Sequence, residues 1–303
     1  MDTNYDVIVV GGSFAGLSAA MQLARARRRV LIVDAGLPRN RFAAHAHGFF
    51  GQDGRAPAEI VREARAQVAA YPTVRMIEGE VVAAARGANG FAVTLADGAT
   101  AGAARLILAS GVRDELPALP GLRERWGGTV LHCPYCHGYE VRDRPLGVLA
   151  AHAMSIHQAM LLPDWGPTTY FTQGSIEPDA AQREELKRRN VRIERSPVVE
   201  LLGEAPALRA VRLADGRAIE IAALFVAPRT VLTHSLAEML GCAIEAGPSG
   251  DVIRVDEWKQ TTVDGVYAAG DAATLFTNAT FASAAGVAAG VMAHRSLVMG
   301  PGA

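Results

Sequence analysis

Two cysteines three positions apart, framed by histidines, form the most reactive cluster in this chain: His132-Cys133-Pro134-Tyr135-Cys136-His137-Gly138-Tyr139-Glu140. Four chemistries could use it. Cys-x-x-Cys-His is the attachment pattern of a c-type haem, which in most settings belongs to an exported protein. Two histidines and two cysteines could also hold zinc, but so short a loop rarely wraps a tetrahedral ion, and the chain has no second cysteine pair. A purely structural disulfide is the third reading. The fourth is a redox dithiol, and its physical case is direct. A cysteine at a helix N-terminus has its thiolate stabilised by the dipole and by free N–H groups. Pro134 suits the first helical position, where no N–H partner is lost. The two-residue spacing lets one sulfur reach the other quickly. His137 could take or deliver the proton that thiol exchange moves, with Glu140 to orient it. On this reading Cys133, Cys136, His137 and Glu140 are the candidate catalytic residues, and no metal site is expected.

The elements that must position this cluster read as repeated strand–helix units. Tyr5 to Val10 is a β-branched run fit for a buried parallel strand. Leu17 to Ala26 has helical spacing, Val30 to Val33 is a second strand, and Val74 to Leu95 alternates as strands do. A turn stands at Asp97-Gly98, and Arg105 to Ala109 is another buried strand. Pro117 and Pro120 break the pattern and mark a domain crossing. Leu146 to Ala151, Thr168 to Phe171 and Val191 to Glu194 read as strands with helices between them, a second α/β unit. The chain then returns to the first domain, where Gly265 to Asp271 is a strand ending in an acid and Ala282 to Ser296 a helix of small residues.

Between the first strand and helix lies Gly11-Gly12-Ser13-Phe14-Ala15-Gly16. Such a turn brings backbone N–H groups up to a pyrophosphate, and the helix N-terminus adds its positive dipole end. Asp34 ends the second strand, where it can accept hydrogen bonds from ribose hydroxyls. A tight turn alone would be weak evidence; the strand before it, the helix after it and the acid beyond make a dinucleotide site. Ser13 replaces the usual middle glycine, and its small hydroxyl can face phosphate.

Bulk properties narrow the function further. The 303 residues are 50% hydrophobic and 20% charged, with formal net charge −1, the balance of a globular protein. Nothing in that charge draws the chain to nucleic acid or to an anionic membrane. No basic leader precedes the first strand, and no run of about 18 apolar residues suggests a membrane span. Three cysteines are too few for a secreted disulfide scaffold. A cytoplasmic location is expected, with Cys242 a buried structural thiol.

The late segment Gly265-Val266-Tyr267-Ala268-Ala269-Gly270-Asp271 resembles the second FAD signature of flavoproteins with two dinucleotide domains, and Ala109-Ser110-Gly111 resembles their linker turn. With a Cys-x-x-Cys between the two signatures, nearly the whole chain resembles the low-molecular-weight thioredoxin reductase family. The resemblance implies an α/β fold of two Rossmann-like (three-layer ββα) domains, an FAD domain at 1–116 and 244–303 with an inserted NADPH-like domain at 117–243 carrying the cysteines. It implies FAD as cofactor and a homodimer. The residues expected to contact FAD are Gly11, Gly12, Ser13, Phe14, Ala15, Gly16, Asp34, Ala35, Arg39, Asn40, His47, Val81, Ala109, Gly111, Gly270, Asp271 and Ala282. It further implies that Cys133 meets substrate and Cys136 faces the flavin.

Two departures redirect the expected function. The family has Cys-x-x-Cys-Asp, whereas this chain has Cys136-His137, which looks like the gliotoxin- and holomycin-type dithiol oxidases. The second glycine turn, for NADPH, is also missing: Gly147-Val148-Leu149-Ala150-Ala151-His152-Ala153-Met154-Ser155 has no glycine at the turn itself. Thr172-Gln173-Gly174 offers neither arginines for a 2′-phosphate nor an acid for a ribose. The expected activity is oxidation of a small dithiol with oxygen as acceptor and without NADPH. The alternatives are reduction of a thioredoxin-like protein fed by ferredoxin or another donor, and a flavin-based redox sensor.

Overall fold

The computed structural model describes residues 5–87 and 90–300. They divide into two compact units. The first holds the segment ending at Arg41, Ala58–Arg113 and the segment from Val231 onward; the second holds Phe42–Pro57 and Asp114–Thr230.

In the first unit the strands Val74–Glu78, Val30–Asp34, Tyr5–Val10 and Thr100–Leu108 lie side by side in that order and run parallel. Val266–Ala268 adds a further parallel partner to Thr100–Leu108. The antiparallel strands Gly90–Leu95 and Val81–Gly87 continue from it on the other path. Side chains alternate along a strand, so Tyr5–Val10 serves two cores. Val7 and Val9 pack with Leu17, Ala20 and Leu23 of the helix Phe14–Arg25 and with Ala289 and Ala293 of the helix Ala279–Met299. Ile8 and Val10 pack on the opposite face with Val81, Phe91 and Leu95. This is the three-layer arrangement that the sequence implies.

The helix Ala279–Met299 is long and apolar enough to cross a membrane by length and composition, unlike the reading of the sequence. Within this unit its small residues serve packing. A Cβ on Gly290 would stand 2.5 Å from the Ala19 carbonyl oxygen, and one on Gly286 would strike the Ala15 carbonyl. Ala282, Gly286, Ala289, Gly290, Ala293 and Ser296 make its buried side.

The second unit repeats the plan. Arg192–Glu194, Thr168–Phe171, Leu146–Leu149, Ala223–Val226 and Val130–Leu131 form a parallel sheet in that order. Leu146 and Val148 face a core containing Ile156 and Ala159 of the helix Met154–Leu161. Leu149 faces a core built with the antiparallel strands Val198–Leu202, Ala210–Leu213 and Ala218–Glu220. That antiparallel layer was not anticipated, because its strands are short and interrupted by charge.

The unit boundaries differ from the expected 116/117 and 243/244. The return falls at Val231 because Leu236, Ala237 and Cys242 are buried in the first unit's core. Phe42–Pro57, expected with the FAD domain, clusters with the second unit; a Cβ on Gly127 would meet the Phe42 backbone.

Candidate functional site

In the first unit three segments leave the same ends of neighbouring parallel strands: 11–16, 109–111 and 269–271. Loops at the carboxyl ends of parallel strands are where open α/β sheets bind ligands. The glycines are there because nothing larger fits. Gly11 has φ +104°, and a Cβ on it would strike the Ala109 carbonyl. A Cβ on Gly12 would lie 2.8 Å from the Asp34 Cβ, and one on Gly16 would strike the Gly11 carbonyl. Ser13 has extended backbone, φ −105° and ψ −157°, which any residue adopts. The missing middle glycine therefore leaves the turn intact. Ser13 N-caps the helix Phe14–Arg25 without a side-chain cap bond, as suits a turn whose donors serve an anion.

Asp34 has a second duty. Its Oδ1 accepts the Gly12 N–H at 2.9 Å, and its Oδ2 accepts Nη1 of Arg65 at 2.6 Å. A carboxylate has about four lone-pair sites, so acceptors remain for a ribose. Arg65, on the helix Pro57–Ala69, went unnoticed in the sequence because the helix reads as ordinary surface. Asp271 accepts Nη1 of Arg39 at 2.9 Å, which brings together two expected cofactor residues far apart in sequence. Gly270, at φ +75°, sits where a Cβ would meet that of Ala15 at 2.9 Å. Ala109 and Ala282 are buried in the same core as Ala15. Gly111, at φ +70°, has open space around it. Ala35 is exposed beside Asp34, and Asn40 is half-buried on the turn Arg39–Phe42. Val81 is buried in the sheet core, so its side chain serves packing. The glycine cradle, the acid and the backbone loops fit a dinucleotide: the space that a Cβ would fill is kept clear.

The cysteines lie in the second unit, beyond the strand Val130–Leu131. Cys133 N-caps the four-residue helix Pro134–His137, and its Sγ accepts the Cys136 N–H at 3.2 Å. A disulfide joins Cys133 to Cys136, their Cα atoms 5.3 Å apart. Gly138 is needed for close approach: a Cβ there would lie 2.8 Å from the Trp165 ring. That ring in turn meets Tyr135 edge-on at 5.5 Å. Burial pushes the His137 imidazole below its ordinary 6.5; nearby Glu140 raises it and His47 lowers it. The neutral base form therefore persists to lower pH than in an ordinary histidine. His47, expected to contact the cofactor, belongs to the second unit, with Nε2 3.6 Å from Oε1 of Glu140 and Nδ1 3.5 Å from Oδ1 of Asp53.

The second unit also has a topological switch point, between Leu146–Leu149 and Ala223–Val226. Its turn is closed by its own atoms. Ser155 Oγ accepts the N–H groups of Ala151 at 3.0 Å and His152 at 3.4 Å. His152 Nδ1 accepts the Met154 N–H at 3.2 Å. Burial lowers the His152 pKa, and the ring lies near the backbone of Ala227 and Pro228, which follow the neighbouring strand. Gln173, at the next strand's tip, is clasped by Val198: its Nε2 donates to the Val198 carbonyl at 3.2 Å and its Oε1 accepts the Val198 N–H at 2.7 Å. Donors that would cradle a pyrophosphate are thus already satisfied.

Comparison with known proteins places these features. Residues 5–286 match the family described as pyridine nucleotide-disulphide oxidoreductase. The thioredoxin reductase tcpT of Claviceps purpurea is 31% identical over 315 residues, covering 97% of this chain and 94% of that protein. The solved oxidoreductase from Agrobacterium tumefaciens is 52% identical with a TM-score of 0.93, covering 98% of this chain and 99% of the other. The structure of HlmI is 40% identical with a TM-score of 0.91, covering 97% and 93%.

Replacing Asp271 by Ala removes a partner of Arg39 at an expected cofactor contact. FAD is expected to bind roughly 10- to 100-fold more weakly, the loss of one charge-assisted hydrogen bond. Flavin released on ultrafiltration measures this; unchanged retention would remove Asp271 from the cofactor site.

Proposed function

Since this chain belongs to the pyridine nucleotide-disulphide oxidoreductase family, we propose that it is an FAD-dependent oxidase of a small dithiol, using oxygen as acceptor and neither NADPH nor NADH. The chain is a thioredoxin reductase-like disulfide oxidoreductase and an FAD-binding flavoprotein. The observation that carries the proposal is the closed second turn, where Ser155 and His152 take the N–H groups of Ala151, His152 and Met154.

The proposed chemistry runs through the cysteines. A substrate thiolate attacks Cys133 of the disulfide and Cys136 leaves as a thiolate, forming a mixed disulfide. The second substrate thiolate attacks the substrate sulfur of that bond, and Cys133 leaves. The Cys136 N–H that Cys133 Sγ accepts stabilises the departing thiolate. Two electrons have then passed from the substrate to the cysteine pair. Of the two substrate thiol protons, one goes to His137, whose neutral form burial favours, and the other to the departing Cys133 sulfur. FAD, which the turn 11–16, Asp34 and Asp271 would hold, would supply the two-electron acceptor that lets the disulfide re-form, with oxygen as the final acceptor. The relatives named thioredoxin reductase keep a protein disulfide open as the alternative substrate.

The acting unit in this reading is a homodimer. Val287, Val291 and Val298 recur at helical spacing on the exposed side of the helix Ala279–Met299, a stripe that a second copy would cover. Light scattering should give twice the 31.9 kDa chain mass; a monomer at micromolar concentration would remove this part of the proposal.

In anaerobic stopped flow, a small dithiol should bleach the flavin, whereas NADPH and NADH should leave it oxidised on the timescale of turnover. Reduction by either nucleotide at about 1–1000 per second, the range of enzyme turnover, would make an NADPH-dependent reductase the better description.

The two cysteines should fail differently. Cys133→Ser and Cys136→Ser should both lose dithiol oxidation, because neither can complete the relay. Offered the oxidised product, Cys136→Ser alone should trap it as a mixed disulfide: the Cys133 thiolate attacks the product disulfide and one product sulfur leaves as a thiolate, seen in the intact mass. Trapping in Cys133→Ser instead would reverse the two roles, and full activity in both variants would exclude the pair as the catalytic centre.

A further inference from the structure

The segment Phe42–Pro57 leaves its sequence neighbours to pack with the second unit, and its tip is tightly closed. Ala46 and Arg55 form an antiparallel bridge, with the Ala46 N–H donating to the Arg55 carbonyl at 2.8 Å. The Gly54 N–H donates to the Ala46 carbonyl at 2.9 Å, and the Gln52 N–H to the Phe49 carbonyl at 2.8 Å. Gly48, Gly51 and Gly54 stand at φ +71°, +76° and +76°, left-handed conformations that favour glycine. Asp53 accepts the Gly48 N–H at 2.9 Å. On the closed tip the His47 ring is held between two carboxylates and is only 22% exposed. Each ring nitrogen faces a carboxylate oxygen, Asp53 at 3.5 Å and Glu140 at 3.6 Å. Glu140 stands three residues after His137, the spacing at which side chains on successive helical turns are neighbours.

We propose that His47 is a positioning residue for proton transfer at the cysteine pair: braced by Asp53, it holds the Glu140 carboxylate in place beside His137. The inference rests on the reading of Cys133–Cys136 as a dithiol-oxidising centre with His137 as its base. The two arginines that follow Glu140 are directed elsewhere. Arg142 Nη1 donates to the Tyr139 carbonyl at 2.8 Å, and Arg144 Nη2 to the Glu140 carbonyl at 3.2 Å. The charged or titratable groups that influence His137 are Glu140 from the following turn and His47 from the earlier segment, with Asp53 beside His47. The two act on His137 with opposite sign, Glu140 raising its proton affinity and His47 lowering it.

Without His47 the Glu140 carboxylate is no longer held in place, so its raising influence on His137 falls away and His137 loses its proton at lower pH. The acid limb of the kcat/KM–pH profile for dithiol oxidation then moves to lower pH in His47→Ala. Misplacement of a reacting group by about an ångström can cost roughly 100-fold, which bounds the loss expected on the plateau. His47→Gln keeps an N–H donor toward Glu140 and should recover part of that loss.

A double-mutant cycle separates positioning from mere support of the loop. His47→Ala should move the profile to lower pH in the native background and fail to do so on top of Glu140→Gln, because that movement runs through the carboxylate. Flavin content and melting temperature of each variant verify that it is folded. An unchanged profile in folded His47→Ala, or an equal shift in the Glu140→Gln background, would overturn the proposal. Failure of the underlying reading looks different: the native protein would not oxidise dithiols at all, or Cys133→Ser would still do so.

Discussion

Close backbone contact around the helix Phe14–Arg25 is the constraint on which the first unit depends. Its N-terminal turn is pressed against the sheet through Gly11 and Gly16, and its outer side against the helix Ala279–Met299 through Gly286 and Gly290. Each of these positions lacks room for a Cβ, so the helix has no freedom to slide along either neighbour. Interiors packed this tightly transmit displacement rather than absorb it. The seating of that helix therefore also sets where its first N–H groups point. The same packing brings Gly270 against Ala15, so the late acidic loop and the early glycine turn are assembled by one set of contacts.

The second unit keeps the plan of the first but puts different chemistry at its switch point. Where the first unit holds Cβ atoms away from its turn, the second fills the turn with Ser155 and His152, whose side chains accept the backbone N–H groups. Buried polar groups need partners whether or not a ligand is present. The N–H groups of Ala151, His152 and Met154 are satisfied internally by these two side chains. Gln173 does the same at the next strand end by clasping Val198. The sheet survives because its cores are built from Leu146, Val148 and Leu149, which are independent of the turn.

Around the cysteines, reactivity and rigidity come from separate sources. The Cys136 N–H bonded to Cys133 Sγ acts on the sulfur directly. Gly138 admits Trp165, and that ring braces Tyr135 inside the motif. His137 is tuned chiefly by burial, with Glu140 and His47 acting in opposite directions on top of it. Glu140 stands beside the cysteines in sequence, and His47 in a segment far upstream.

Much of this was legible in the residues themselves. The strand Tyr5–Val10, the glycine turn, Asp34 and the Cys-x-x-Cys helix start are local patterns, dictated by backbone sterics and by the donors a helix end leaves open. The loss of the second glycine turn was equally plain, since an absent glycine needs no tertiary context to be noticed. Other features depend on contacts between distant segments and have no local signature. The strand layer 198–220 is too short and too charged to show a period. Arg65 looks like any surface arginine until its helix brings it to Asp34, and Arg39 meets Asp271 only because the last strand returns to the first sheet. His47 stands in a segment that sequence order assigns to one unit and packing assigns to the other. The amino-acid sequence by itself determined which chemical groups the protein has and how its individual turns are shaped, because sterics and hydrogen bonding act over a few residues. Which carboxylate faces which histidine was decided only by the tertiary structure, because that depends on where long-range packing sets each segment down.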